Sequence, residues 1–466
     1  MAPLLFSNER RYEGHDNRRA QRLHGGGRRG RDYSSLPEVG LKKNCCFSVV
    51  VISRIGQQIR LSLIFAKSSV DLRVFARPLS AYVAPLCAVS KHTKYSAKAY
   101  RIANRDECQI VAATLAIKVL ILVFGIHVFN ALEPATPSRG IGLEVWNRWD
   151  SPAYLNIAQQ GYTASLPNRA QLVLFPLYPL CVRAVAIVAR NYLVSAFIVS
   201  GVGAGAAALL LYRLTRLDAS RAVAIRAVWL MLIFPSGFFL HIGYAESLFL
   251  ALAIGCLYAA QTDRWAISGL MAALAAMTHI NGWLLLPTLA TEVIQQFVSC
   301  RKWRWQWLWA LMPLSGLAVY LLINYKTTGH ALAFLTIERE HWSKALDWPW
   351  KGIRGSFDLI RLGNPNEAAI RGIEESLFIS LGFACTLAAW FTMRAAYATW
   401  MTLNWILFTS VGFILCVPRY TLVMFPIYIL LARIARHRIA AWIITVWCLL
   451  SAGLFIALFV RGWWVS

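Results

Sequence analysis

Charge is scarce in this chain. Of its 466 residues only 15% are Asp, Glu, Lys or Arg, where a soluble protein carries about 25%. Acid is scarcer than base: 22 Asp and Glu stand against 47 Lys and Arg, a net charge of +25. The ten cysteines contain no C-x-x-C pair, so no zinc or dithiol redox motif is encoded, and those inside apolar runs act as small hydrophobes. There is no internal repeat of the kind that builds many transporters. No compact basic-then-apolar leader opens the chain. No Met falls between Met1 and Met231, so an alternative start would need a non-Met codon.

Apolar side chains fill the space that charge leaves. They make up 58% of the residues, and the mean hydropathy is +0.51. A soluble core cannot hide that much apolar surface, whereas a bilayer can, and disorder is excluded over most of the length. The positive charge alone would fit a nucleic-acid binder, but its placement does not. Before residue 110 lie about 20 basic and about 8 acidic residues. Most of the remaining Lys and Arg sit in short breaks between apolar runs, as on the cytoplasmic side of a polytopic membrane protein.

Residues 1–109 differ from the rest. Residues 24–31 read HGGGRRGR, and the apolar run from Cys45 to Ala66 is interrupted by Arg54, Gln57, Gln58 and Arg60. A spanning helix needs about 20 mostly apolar residues, and this run fails. The segment reads as a disordered cytoplasmic tail or as a mis-assigned start. Residues 110–466 read as one transmembrane domain.

Apolar runs of bilayer length occur at 110–130, 191–212, 223–240, 246–261, 265–280, 282–298, 305–323, 376–392, 396–416, 421–434 and 440–460. The expected fold is therefore all-α, a polytopic helical bundle of about 11 crossings. Breaks holding Arg213/Arg216/Arg221, Arg264, Arg301/Lys302/Arg304, Arg394 and Arg433/Arg436/Arg438 alternate with the base-poor breaks 241–245, 279–281 and 416–420. That alternation fits the positive-inside rule. Residues 171–190 contain Pro176, Pro179 and Arg183, and counting them as a crossing would invert every later loop. They read as an interfacial or re-entrant helix. Two long non-cytoplasmic loops remain, 131–171 and 324–375, both rich in Trp, Tyr, Pro and charge.

The first loop carries Trp146-Asn147-Arg148-Trp149-Asp150-Ser151-Pro152, followed by a short helical stretch that Gly161 would end. Either Ser151 caps that stretch, with Pro152 in its first turn, or Asp150 is itself the cap. Later base-poor breaks present Tyr244-Ala245-Glu246, then His279-Ile280-Asn281-Gly282, then Arg419-Tyr420. Ionisable groups at membrane-embedded helix ends are costly and mark functional sites by default. Each also has a plain reading: Glu246 as a helix-start charge, His279 as a core histidine, Arg419 as a snorkelling anchor. Together they fall on the side that holds Asp150.

The runs RWDSPAYLNIAQQGY, LFPLYPL, FPSGFFLHIGYAESLF, THINGWLLLPTL and PRYTLVMFPIYILLA, in that order over about residues 110–435, resemble the PIG-V-like mannosyltransferases. That family includes the transferase that adds the second mannose of GPI anchors, together with bacterial relatives. The resemblance implies a GT-C glycosyltransferase with its active site on the non-cytoplasmic face. It implies a polyprenyl- or dolichyl-phosphate sugar donor, a lipid or glycan acceptor, inversion at the anomeric carbon, and no metal or other cofactor. The membrane would be the plasma membrane of a bacterium or the endoplasmic reticulum of a eukaryote. The resemblance carries Asp150 over as the catalytic carboxylate and places Glu246 in the same cavity. His279-Ile280-Asn281-Gly282 stands where relatives commonly have Arg-Pro-Asn/Thr-Gly, a departure, whereas Arg419-Tyr420 matches. The loop 324–375 matches weakly, through Glu340-His341-Trp342 and Trp348-Pro349-Trp350.

An inverting displacement needs one base for the acceptor hydroxyl and a cation near the departing phosphate. Asp150 fits the first role, with Glu246 as the second catalytic carboxylate. Arg148 and Arg419 fit the cation, because a guanidinium fork pairs with phosphate oxygens. Trp149, Tyr154, Tyr244, His279, Asn281, His341, Trp342 and Tyr420 complete the expected substrate-binding set. The competing readings are a multi-pass transporter or lipid-carrier flippase, which would place polar residues at mid-span, and a non-catalytic scaffold, which would tolerate loss of Asp150.

Overall fold

The computed structural model describes residues 97–133, 142–360 and 367–464. The expected tail, up to residue 96, lies outside the described residues. The boundary drawn at 109 sits within a helix, because α1 (Ala97–Leu132) is continuous through it. Asp106 and Glu107 on α1 are packed against other helices through ion pairs.

The described residues are helical almost throughout. After α1 come α2 (Asp150–Gln160), α3 (Leu177–Ala189), α4 (Tyr192–Asp218), α5 (Arg221–Leu232), α6 (Glu246–Gln261), α7 (Trp265–Ala276), α8 (Leu285–Cys300) and α9 (Pro313–Thr328). The chain continues through α10 (Ala333–Trp342), α11 (Pro349–Ile360), α12 (Glu367–Thr392), α13 (Ala395–Thr409), α14 (Val417–Leu422), α15 (Pro426–Ile434) and α16 (Arg438–Val460). Five 3₁₀ turns link them, at Leu143–Trp146, Asn168–Val173, Gly237–Leu240, Ile280–Leu284 and Trp305–Leu311. The β pairing among the described residues is one isolated antiparallel bridge, Leu346 to Val411.

Five of the described segments are long and apolar enough to cross a bilayer: 105–132, 192–218, 305–328, 370–392 and 438–460. The protein is an integral membrane protein. Several other apolar runs are cut short. The run 223–240 stops being α-helical at Leu232, because Pro235 lacks an amide hydrogen and disfavours helical backbone at the residue before it. The run 265–280 ends its helix at Ala276, and 421–434 is split between α14 and α15, with Pro426 opening the second.

Long and short helices differ in what surrounds them. In the most apolar window of α1 only 17% of residues are buried, and Leu120 and Val119 stand exposed, as a lipid-facing helix requires. The 16-residue α6 instead buries Phe249, Leu250, Ala253, Ile254 and Leu257 on several faces. A helix that is apolar all round and enclosed by protein is a core element. Small residues let these helices approach closely. A Cβ at Gly203 of α4 would lie 2.8 Å from the Leu248 nitrogen and from the Ser247 Oγ of α6. One at Gly316 of α9 would overlap the Ala273 carbonyl oxygen of α7.

The segment 171–190 resolves into a 3₁₀ turn and the 13-residue α3, with Pro179 in its first turn. At about 1.5 Å rise per residue such a helix is too short to cross. Arg183 serves the fold there: its Nε and Nη2 donate to the carbonyls of Ala158 (2.5 Å) and Gln159 (3.2 Å), which caps the carboxyl end of α2.

Candidate active site

Asp150 opens α2, so its carboxylate stands at a helix start where exposed amides favour negative charge. Two of the open questions are settled locally. Neither Ser151 nor Asp150 caps the helix: Asp150 is its first residue, Trp149 holds the cap position with no side-chain bond, and the Ser151 hydroxyl donates to Asn147 Oδ1 at 2.9 Å. Gly161 does end it, with φ +83° and its amide on the Ile157 carbonyl. Tyr244 fastens the start of α2 from below. Its hydroxyl donates to the Arg148 carbonyl at 2.9 Å and accepts the Asp150 amide at 3.3 Å.

Arg419 comes from α14, 269 positions away in sequence, and its Nη1 donates to Asp150 Oδ2 at 2.6 Å. Its Nε lies 3.4 Å from Glu246 Oε1, and its guanidinium stands over the rings of Phe239 and Tyr244 at 5.7 and 5.6 Å. Burial works against the Arg419 cation, but the carboxylates of Asp150 and Glu246 more than offset it and hold its pKa well above the ordinary value. Glu246, at the start of α6, is only 3% exposed, and its Oε2 has no hydrogen-bond partner.

Both short helices that deliver this pair follow a strained residue. Trp149, before α2, has φ +57°, ψ −110°, and Cys416, before α14, has φ +75°, ψ +25°. Positive φ in residues with a Cβ costs about 1–3 kcal/mol and persists only when surrounding structure enforces it. Glu375 of α12 does so for the second: its two carboxylate oxygens accept the Cys416 and Val417 amides at 2.7 and 2.8 Å. The corresponding support for the first is the Tyr244 hydroxyl.

A cavity of about 100 Å³ lies beside these groups. Of the residues expected from sequence, Asp150, Glu246, Tyr154, His279, Trp342, Arg419 and Tyr420 line it. The others stand elsewhere. Tyr244 lies beneath. Arg148 turns away: its Nε donates to the Val145 carbonyl at 3.0 Å, its guanidinium lies 5.7 Å from the Phe129 ring, and burial lowers its pKa. Trp149 packs edge-on against Trp464, which itself reaches the cavity wall. Asn281 is fully buried and donates to Asn404 Oδ1 of α13 at 2.5 Å, while its amide is accepted by His279 Nδ1 at 3.3 Å. It fixes the turn that carries His279. His341 packs against Trp342 on the exposed side of α10.

Sequence reasoning missed three contributors. Glu338, on α10, lines the cavity, and burial raises its pKa although Lys344 beside it works the other way. Lys344, in the connection from α10 to α11, points its Nζ at the Tyr420 hydroxyl, 3.2 Å away, and over the Tyr420 ring at 5.5 Å. Burial would lower its pKa, but Tyr420, Cys416 and Glu338 turn the net shift upward and the ammonium is held charged. Glu375 is the third. The connection bearing Lys344 is pinned by the Leu346–Val411 bridge, by the Gly412 amide on the Ala345 carbonyl and by the Asp347 amide on the Ser410 carbonyl. Among the described residues no cluster of His, Cys, Asp and Glu has the arrangement of a metal site.

No protein-family model matches the sequence, and no curated protein matches it. Among solved structures the chain is similar to the Archaeoglobus fulgidus oligosaccharyltransferase. Against its complex with Zn and sulfate the identity is 13% and the TM-score 0.38, covering 74% of this chain and 53% of that one. Against the apo form the values are 12% and 0.39, with 75% and 56% covered. This chain thus spans about half the length of the oligosaccharyltransferase that it matches.

Proposed function

We propose that the protein is a membrane glycosyltransferase that moves a sugar from a polyprenyl- or dolichyl-phosphate donor to an acceptor hydroxyl with inversion. Mannose is the sugar that the motif resemblance implies. One observation carries the reading: groups from five distant stretches of sequence, Asp150, Glu246, His279, Trp342 and Arg419-Tyr420, surround one cavity in a membrane protein that is otherwise poor in charge.

The chemistry follows from the arrangement. Asp150 takes the proton of the acceptor hydroxyl as that oxygen bonds to the anomeric carbon. The bond from that carbon to the donor phosphate oxygen breaks, and its electron pair stays on the phosphate. The lipid phosphate leaves as a stable anion, so one base suffices. Arg419 holds the Asp150 carboxylate in place through its Nη1. Glu246, deeper and nearly enclosed, shares Arg419 and is the second catalytic carboxylate. A lipid donor tail calls for a site that opens toward the bilayer, and the base-poor breaks in the sequence support a non-cytoplasmic location for it.

The test is transfer by the purified protein in lipid nanodiscs, with a panel of polyprenyl-phosphate sugars and membrane lipid extracts as acceptors. Sugar transfer that Asp150→Asn abolishes supports the proposal. A parent protein that transfers none of the sugars yet moves polyprenyl phosphate between leaflets would replace it with the flippase reading.

A further inference from the structure

We infer that Lys344, together with the Tyr420 hydroxyl, is the receptor for the phosphate group of the ligand, and that Arg419 and Arg148 are not. The inference rests on the proposed lipid-phosphate chemistry and names the residue that does the holding.

Two cations line the cavity, Lys344 and Arg419. Arg419 is already engaged by carboxylates, Asp150 at 2.6 Å and Glu246 at 3.4 Å. A phosphate approaching it would meet two like charges. Arg148, the other cation expected from sequence, donates to a backbone carbonyl and does not line the cavity.

Lys344 is different. Among the described residues no carboxylate stands within 4.0 Å of its ammonium, and its side-chain hydrogen bond goes to the Tyr420 hydroxyl at 3.2 Å. An ammonium has three donor hydrogens, so two remain open. Glu338 and Glu375 act on it only at longer range. A half-buried ammonium whose contact partner is a phenol has no counter-ion touching it, and the low-dielectric surroundings strengthen its attraction for one that arrives. An incoming phosphate oxygen supplies the missing charge. The Tyr420 hydroxyl, which accepts from Lys344, still has its own proton to give to a second phosphate oxygen.

The two cations therefore divide the work: Arg419 holds the carboxylates, and Lys344 holds the anion that departs. Tyr420 follows Arg419 in the chain, so α14 carries a member of each pair. Lys344 sits on a connection pinned to the segment 410–412 by backbone pairing, which fixes where the ammonium points without any bond to Arg419.

The experiment measures equilibrium binding of polyprenyl phosphate to the full chain in phosphatidylcholine nanodiscs, and of inorganic phosphate in a parallel arm. Sugar transfer is not needed for either. Lys344→Met keeps the unbranched apolar stem and removes the ammonium. It is expected to weaken polyprenyl-phosphate binding about 10- to 100-fold, the range for losing a charged hydrogen bond. Lys344→Arg is expected to restore most of that loss, which a packing role would not do. Arg148→Gln is expected to bind like the parent, and thermal melting of each variant controls for folding. Where transfer is measurable, Lys344→Met should also raise the donor KM.

If inorganic phosphate alone binds in a Lys344-dependent way, the anion site stands with a soluble ligand. If polyprenyl phosphate binds through Lys344 but no sugar is transferred, the transferase proposal fails and this one survives. Unchanged phosphate binding by Lys344→Met, or no phosphate binding by the parent in either arm, overturns it.

Discussion

At one end of α4, Asp106 accepts two bonds from Arg221, at 2.6 and 2.5 Å, and a third from Tyr212 at 2.8 Å. Beside it Glu107 receives Arg213 through both oxygens, at 2.8 and 2.7 Å. Toward the other end of α4, where the Ser200 hydroxyl donates to the Tyr244 carbonyl, Arg419 serves two carboxylates at unequal distances. There the Oε2 of Glu246 and the Nε of Arg419 have no hydrogen-bond partner. Both clusters are made of the same residue types. The first is saturated and fastens three helices. The second leaves one carboxylate oxygen and one guanidinium nitrogen buried without a hydrogen bond beside a cavity, a cost that a purely structural ion pair has no reason to carry.

Several substitutions sharpen or break that contrast. The largest effect is expected from Asp150→Asn, which keeps the shape and removes the base. Transfer of labelled sugar should fall at least about 10²-fold while the melting temperature barely moves. The counterpart Asp106→Asn should do the reverse, lowering the melting temperature and leaving turnover per folded molecule intact. Equal loss of turnover in both would mean that the two clusters are not different in kind. Next comes Arg419→Lys, which keeps one charge but cannot fork to Asp150 and Glu246. Transfer about 10-fold below the parent is expected, whereas Arg221→Lys should transfer normally.

Glu375→Ala should rank third. It strips two buried amides at the start of α14 of their acceptor, at a cost of about 1–3 kcal/mol each, so denaturation midpoint and transfer rate should drop together. Glu375→Gln retains one acceptor oxygen and should lie between Ala and the parent. The smallest effect belongs to Arg213→Gln in the exposed pair, where a stability change below about 1 kcal/mol and no change in rate are expected. A loss of several kcal/mol there would show that α1 depends on that one contact.

The helical class, the apolar runs and the singling out of Asp150, Glu246 and Arg419 were within reach of sequence reasoning, for definite reasons. The ion pair of Asp150 with Arg419 was not, because sequence reasoning assigned Arg419 to the phosphate. In a chain this poor in charge, an ionisable residue at the end of an apolar run stands out, as Asp150, Glu246 and Arg419 do. Lys344 and Glu338 did not stand out, because they sit in a polar connection where charged residues are ordinary and only the fold brings them to Tyr420. Glu375 was hidden for a related reason: its partners are backbone amides 41 and 42 positions away, which leave no trace in side-chain chemistry. Hydropathy also could not tell lipid from protein as a neighbour. The runs at 246–261 and 265–280 read like spans, yet α6 and α7 are short and largely enclosed. Arg183 looked like a flaw in an apolar segment until its guanidinium was seen on the end of α2.

The missing side chain of Gly203 sets a mechanical tolerance on the site. Ser247 and Leu248, which directly follow Glu246 in the chain, lie within 3 Å of where a methyl group there would be. Gly203→Ala would force α6 outward by tenths of an ångström, and the Glu246 carboxylate would ride with it. The clearance between two apolar helices is thus a calibration of the gap between Glu246 and Arg419. Random mutagenesis read out by transfer rate should find sensitive positions along the α4–α6 seam, at residues that carry neither charge nor reactivity.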